Sequence, residues 1–205
     1  MTDVEVLLMP TPHGDARVHL ARPADDAGGL MMLGHGAGGG VTAPDLTLAS
    51  QAGLTAGLTV ALVEQPYRVA GRRAPAPLGQ VDTAWRTVAE RLADVAQRGR
   101  FVVGGRSFGA RVACRTAADV GASGVLCLAF PLHPPGRPEK SRLAELTSVV
   151  VPTLVIQGER DAFGVPDPRS LPDNITLTVV DGDHSLRKDA PAIRLALHEW
   201  LGRHP

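Results

Sequence analysis

Short apolar runs alternate along the chain with longer stretches in which apolar residues recur every three or four positions. The runs at 4–8, 16–20, 30–33, 58–63, 101–104, 125–130, 153–158 and 176–180 have the length and the Val, Leu and Ile content of strands. Between 81 and 96, Val81, Trp85, Val88, Leu92 and Val95 stand at helical spacing on one face, with Arg86, Glu90, Arg91 and Arg98 on the other. Ile193, Leu197, Trp200 and Leu201 repeat that arrangement near the C-terminal end. Strands that alternate with amphipathic helices predict an α/β fold, with eight mostly parallel strands and helices on both faces of the sheet. Segments 65–78 and 131–140 carry neither period and are expected as loops at the sheet edge where open α/β folds place ligands. The second, with a helix-like 141–146, leaves too little chain before the strand at 153 for a large lid.

Composition narrows the reading. Hydrophobic residues make up 44% of 205, which suits one substantial core and a single domain over 1–205. Lys plus Arg and Asp plus Glu both number 21, so no net field draws the chain to nucleic acid or to an anionic membrane. A small molecule is the expected partner, and the pattern leaves the oligomeric state open. No apolar run approaches the ~20 residues of a membrane span. The first ten residues lack the basic start of a secretion signal, so a soluble, cytoplasmic protein is expected. Cys114 and Cys127 lie among apolar neighbours and read as buried thiols rather than as a disulfide framework.

The chemistry begins at Gly105-Arg106-Ser107-Phe108-Gly109, which joins the strand at 101–104 to a helical segment. A serine on such a turn is lifted clear of the sheet, and its neighbours two positions away must lack side chains for strand and helix to approach. The rival reading is a serine that merely caps the helix. After the strand at 30–33, Gly34-His35-Gly36-Ala37-Gly38-Gly39-Gly40 offers backbone N–H groups unobstructed by side chains. Donors of this kind stabilise the oxyanion of acyl transfer, and the expected pair is Ala37 and Phe108, with Gly38 in reserve. The same loop fits a dinucleotide fingerprint, Gly34-x-Gly36-x-x-Gly39, but the acidic residue due about twenty positions on is replaced by Leu54-Thr55-Ala56. His35 is expected to be a structural hydrogen-bonding residue beneath the loop.

Asp161 follows the strand at 153–158, and His184 follows the strand at 176–180, so a carboxylate and an imidazole should reach the edge that carries Ser107. A serine hydroxyl is a weak nucleophile until an imidazole takes its proton, and a carboxylate fixes the tautomer of that imidazole. Glu159, Asp181 and Asp183 compete for the acid role, the last two being better suited to shaping the turn that presents His184. His13, His19, His198 and His204 are expected at the surface or in packing.

In this order, the four signals resemble the α/β-hydrolases. More narrowly, Pro131-Leu132-His133-Pro134-Pro135-Gly136-Arg137-Pro138-Glu139-Lys140, Gln157-Gly158 and Asp161-Ala162-Phe163-Gly164 resemble the branch named for a testis-expressed protein and a chromatin NSL-complex subunit, with dienelactone-hydrolase-like proteins as broader relatives. The resemblance implies the eight-stranded hydrolase sheet and a serine-hydrolase triad of Ser107, Asp161 and His184, and no well-defined substrate. The chemistry of such a triad predicts cleavage of a carboxylic ester through an acyl-enzyme, with thioester or amide cleavage and acyl transfer open to the same machinery. The resemblance also implies an alternative, because the branch includes scaffold members: a catalytically silent interaction protein. No metal or organic cofactor is expected, since no ligand-spaced cluster stands outside the triad. Arg68, Arg72 and Arg106 could hold an anionic substrate group, or Arg68, Arg72 and Arg73 could form a solvated face while Arg106 pairs with an internal carboxylate. His133 either lines the pocket or caps its own turn.

Overall fold

The computed structural model describes residues 3–24, 28–96 and 99–203; Arg98 and His204, named above, lie outside them. Its strands are β1 (Val4–Thr11), β2 (Gly14–Ala21), β3 (Gly29–Gly34), β4 (Thr59–Glu64), β5 (Arg100–Arg106), β6 (Gly124–Leu128), β7 (Thr153–Gly158) and β8 (Ile175–Val180). They form one sheet in the order β1-β2-β4-β3-β5-β6-β7-β8. β1 and β2 run antiparallel to their neighbours, and every pair from β4 to β8 is parallel. The eight expected strands are all present, and β3 to β8 put their C-terminal ends on one edge.

The helices are α1 (Pro44–Thr55), α2 (Pro66–Val69), α3 (Leu78–Arg91), α4 (Ala93–Ala96), α5 (Phe108–Thr116), α6 (Leu143–Thr147) and α7 (Ala190–Arg203). One face of the sheet packs Trp85 and Val88 of α3 and Val112 and Ala113 of α5 against Val103, Cys127 and Val155. The other packs Leu46 and Ala49 of α1 and Ile193, Leu197, Trp200 and Leu201 of α7 against Met31, Val102 and Ile156. The apolar stripes read at 81–95 and 193–201 therefore face the sheet. Each large side chain buried in this way contributes about 1.5–3 kcal/mol.

Several boundaries differ from the sequence reading. The helix expected over 81–96 starts earlier, at Leu78, and breaks at Leu92, whose φ of −100° and ψ of 8° end α3 before the separate turn α4. The segment 65–78 contains a helical turn, α2, which Pro66 opens at a position where a missing N–H costs nothing. The strand expected to reach Phe130 stops at Leu128, because Ala129 turns the backbone out of the sheet with φ 50°. Between β6 and β7 the only helix among the described residues is the five-residue α6, so nothing of lid size covers this edge. No described helix is long and apolar enough to cross a membrane.

Candidate active site

Ser107 sits between β5 and α5 with φ 53° and ψ −110°, a conformation that costs a non-glycine residue about 1–3 kcal/mol. Two observations account for its persistence. Its N–H donates to Leu128 O of β6 at 2.8 Å, and the glycines beside it let the backbones close. A Cβ on Gly105 would lie 2.4 Å from Gly34 O, and one on Gly109 would lie 2.3 Å from the same atom. The Ser107 side chain makes no capping bond to α5. Instead its Oγ stands 2.9 Å from His184 Nε2.

His184 follows β8. Its Nδ1 is 2.8 Å from Asp161 Oδ2, and its ring lies against that of Phe163, with centroids 4.2 Å apart. Asp161 has a fully buried carboxylate. Its Oδ1 accepts from Phe163 N–H at 2.8 Å, and its Oδ2 accepts from Gln157 Nε2 at 2.7 Å. The same Gln157 amide lies 3.1 Å from Phe130 O and 3.0 Å from Gly164 O, so it ties the loop after β6 to the loop after β7 beneath the acid. The competing carboxylates are engaged elsewhere. Glu159 and Asp181 both pair with Arg160, and Asp183 accepts from Ser185 N–H at 2.8 Å.

The glycine loop after β3 is held from below. His35 Nε2 accepts from Gln65 N–H at 3.1 Å, which leaves the ring proton on Nδ1 to donate to Gly36 O at 2.7 Å. Burial, aided by Arg68, lowers the His35 pKa and keeps the ring neutral, as those two bonds require. Tyr67 Oη donates to Ala37 O at 2.7 Å, and burial pushes its phenol up to about 12. Gly39 N–H is taken up by Gly36 O at 3.1 Å.

Arg106 makes the expected internal pairing and Arg72 and Arg73 lie at the surface, whereas Arg68 is half-buried, with its Nε shielded from solvent. Arg106 lies 2.9 Å from Asp45 Oδ2 and donates through Nη2 to His184 O at 2.9 Å, so it is spent inside the protein. Arg68 donates to Arg72 O within its own loop at 2.9 Å, and Arg72 and Arg73 are exposed. His133 Nδ1 lies 2.9 Å from Pro134 O, the capping arrangement. His19 pairs with Glu64 at 2.6 Å, and His13 and His198 are exposed. Cys114 and Cys127 are buried thiols with sulfurs 3.5 Å apart.

The sequence assigns no role to Asp45 or Tyr67, and Gln157 and Phe163 enter it only among the residues that carry the branch resemblance. Asp45 and Tyr67 stand far from Ser107 along the chain, and nothing in local periodicity marks such contacts. A cavity of about 500 Å³ lies between α1 and α7, lined by Ala52, Arg100, Arg194, His198 and Leu201, at the end of β5 away from Ser107. It touches none of Ser107, Asp161 or His184.

The sequence model of the alpha/beta hydrolase domain matches residues 27–192. The chain belongs to that family. No curated protein matches this α/β-hydrolase in sequence. Among solved structures it is similar to an α/β serine hydrolase homologue from Coxiella burnetii, at 20% identity over 97% of each chain and a TM-score of 0.78. It is similar also to an α/β serine hydrolase without lid from Xanthomonas campestris, at 25% identity over 99% of this chain and 95% of that one, TM-score 0.75. A dienelactone hydrolase from Anabaena variabilis shares the fold at 18% identity over 99% and 98% of the two chains, TM-score 0.73. An enzyme of the α/β-hydrolase class is therefore the coarse description of this chain.

Proposed function

We propose that the protein is a cytoplasmic serine hydrolase that cleaves a small carboxylic ester. The observation that carries the reading is the unbroken relay Ser107 Oγ, His184 Nε2, His184 Nδ1, Asp161 Oδ2, with contacts of 2.9 and 2.8 Å. Ser107 attacks the ester carbonyl as His184 Nε2 takes its proton, and Asp161 steadies the resulting imidazolium. The Phe108 and Ala37 N–H groups receive the oxyanion. His184 then gives the proton to the departing alcohol, leaving an acyl group on Ser107, and a water activated by His184 releases the acid.

The same relay serves thioesters, amides and acyl transfer, so acyl-chain and leaving-group panels define the substrate. Segments 131–140 and 157–164 support a place near the testis-expressed and NSL-subunit branch. With Arg106 engaged internally and Arg72 and Arg73 exposed, the reading favours a neutral acyl group over an anionic one. The test is a fluorophosphonate probe applied to the protein and to Ser107→Ala. Labelling is expected in the first alone. Labelling of both, or of neither, overturns the reading, and the second outcome would leave the catalytically silent interaction protein.

A further inference from the structure

Resting on that serine-hydrolase reading, we propose that Arg106 is a positioning residue: with Asp45 as its anchor, its guanidinium clamps the loop that carries His184 to the turn that carries Ser107. One side chain reaches three parts of the site. Its backbone immediately precedes the nucleophile. Nη2 holds the carbonyl of His184 itself at 2.9 Å, and Nε faces Asp45 Oδ2 at 2.9 Å, in the first turn of α1. Nη1 passes 3.1 Å from where a Cβ on Gly36 would stand, so a side chain there would crowd the fork.

Asp45 is wholly buried and the Arg106 side chain is only 20% exposed, so solvent competes little for either. Oδ2 accepts no aligned hydrogen bond, and Oδ1 accepts the N–H of Leu46 at 2.9 Å. The contact is thus an ion pair that fixes where the guanidinium lies, while the directional bond goes to His184 O. Burial pushes the Asp45 carboxyl above its ordinary pKa, and the Arg106 charge opposes that rise. An Asp placed here at such a desolvation cost makes physical sense as a partner for Arg106.

The two-point fork defines the mechanical role. His184 Nε2 must stay within hydrogen-bond reach of Ser107 Oγ through the reaction, and a misplacement of about 1 Å can cost on the order of a hundredfold in rate. Asp161 and Phe163 hold the imidazole ring, but neither holds its backbone. Arg106 does, from the residue adjacent to the nucleophile, so the base and the serine move as one body.

The test compares Arg106→Met, Arg106→Lys, Asp45→Asn and the Arg106→Met/Asp45→Asn double variant, using 4-nitrophenyl esters and amide hydrogen exchange on the folded proteins. Arg106→Met is expected to lower kcat about tenfold or more with KM within about twofold, the signature of lost transition-state alignment. The double variant should be no worse than Arg106→Met, because the two residues act as one unit. Arg106→Lys, which keeps the charge without the fork, should recover only part. Exchange should quicken over 183–187 and stay unchanged in β3 and β5. Unchanged kcat, full recovery in Arg106→Lys, additive losses, or unaltered exchange over 183–187 would each overturn the clamp. If the unaltered protein shows no Ser107-dependent turnover, the hydrolase reading fails, and exchange alone decides the role of Arg106.

Discussion

At the scale of single residues, Gln157 and Asp161 divide the work of holding the base. In the proposed mechanism Asp161 fixes the His184 tautomer, and Gln157 keeps Oδ2 of that carboxylate in place from a fully buried position. Asp161→Asn should therefore lower kcat by orders of magnitude while KM changes little, because the asparagine can present an N–H where the imidazole needs an acceptor. Gln157→Leu should cost less, about ten- to hundredfold, the rate equivalent of the ~1.5–3 kcal/mol of a hydrogen bond to a charged group. Steady-state kinetics on an activated short-chain ester separates the two. Equal kcat in Asp161→Asn and the unaltered protein would move the acid role elsewhere. Ser107, Asp161 and His184 were legible in the sequence because each follows an apolar strand at a turn rich in Gly or Asp. Gln157 was not: it is the fifth residue of β7, and a buried glutamine in a strand carries no pattern that names its partners.

At the scale of elements, the ion pairs between helices decide how α5 is held. Arg111 and Arg115 of α5 both reach Glu145 of α6, the first through two bonds of 2.8 and 2.6 Å, and Arg115 also pairs with Asp82 of α3. Burial alone would raise the Glu145 pKa, but Arg111, Arg115 and the nearby charge of Arg142 outweigh it and hold the carboxyl below its ordinary 4.5. A carboxylate with a depressed folded pKa contributes stability that is complete above the unfolded value and lost as pH falls through the folded one. Glu145→Gln should thus lower stability near neutral pH by about 1–2 kcal/mol. The gap should close well below pH 4.5. Thermal midpoints of the two proteins against pH check this, and a gap that persists in acid would assign the loss to packing. Apolar stripes in the sequence mark α3 and α7, but none marks α1. Its buried residues include Asp45 and Gly53 alongside Leu46, Leu48 and Ala49, so polar and small positions interrupt the stripe.

At the scale of the whole molecule, the site depends on strands that are neighbours in space and distant in sequence. Ser107 leaves β5 while His184 leaves β8, with β6 and β7 paired between them. β8 closes the sheet at one side, pairs among the described strands only with β7, and leaves most of its residues partly or fully accessible to water. Such an edge opens at lower cost than the interior. In a urea titration, esterase activity should disappear before far-ultraviolet circular dichroism reports loss of helices and sheet. Coincident curves would show that the edge opens only with global unfolding. The shared edge is legible from the strand ends that precede Ser107, Asp161 and His184, but strand order is not, since alternation of strands and helices predicts parallel pairing without naming who pairs with whom. The reversal that sets β3 between β4 and β5 lies in the contacts themselves.

That reversal brings the glycine loop after β3 next to the turn after β5, and Gly34 O meets both Gly105 and Gly109 there. The proposed oxyanion donors, Ala37 and Phe108, and the proposed nucleophile, Ser107, consequently share a seam only one backbone wide. Any side chain added along it would push apart the two groups that must face one carbonyl, so variation in what this protein hydrolyses has room in the outer loops at 70–76 and 133–141 and almost none along the seam.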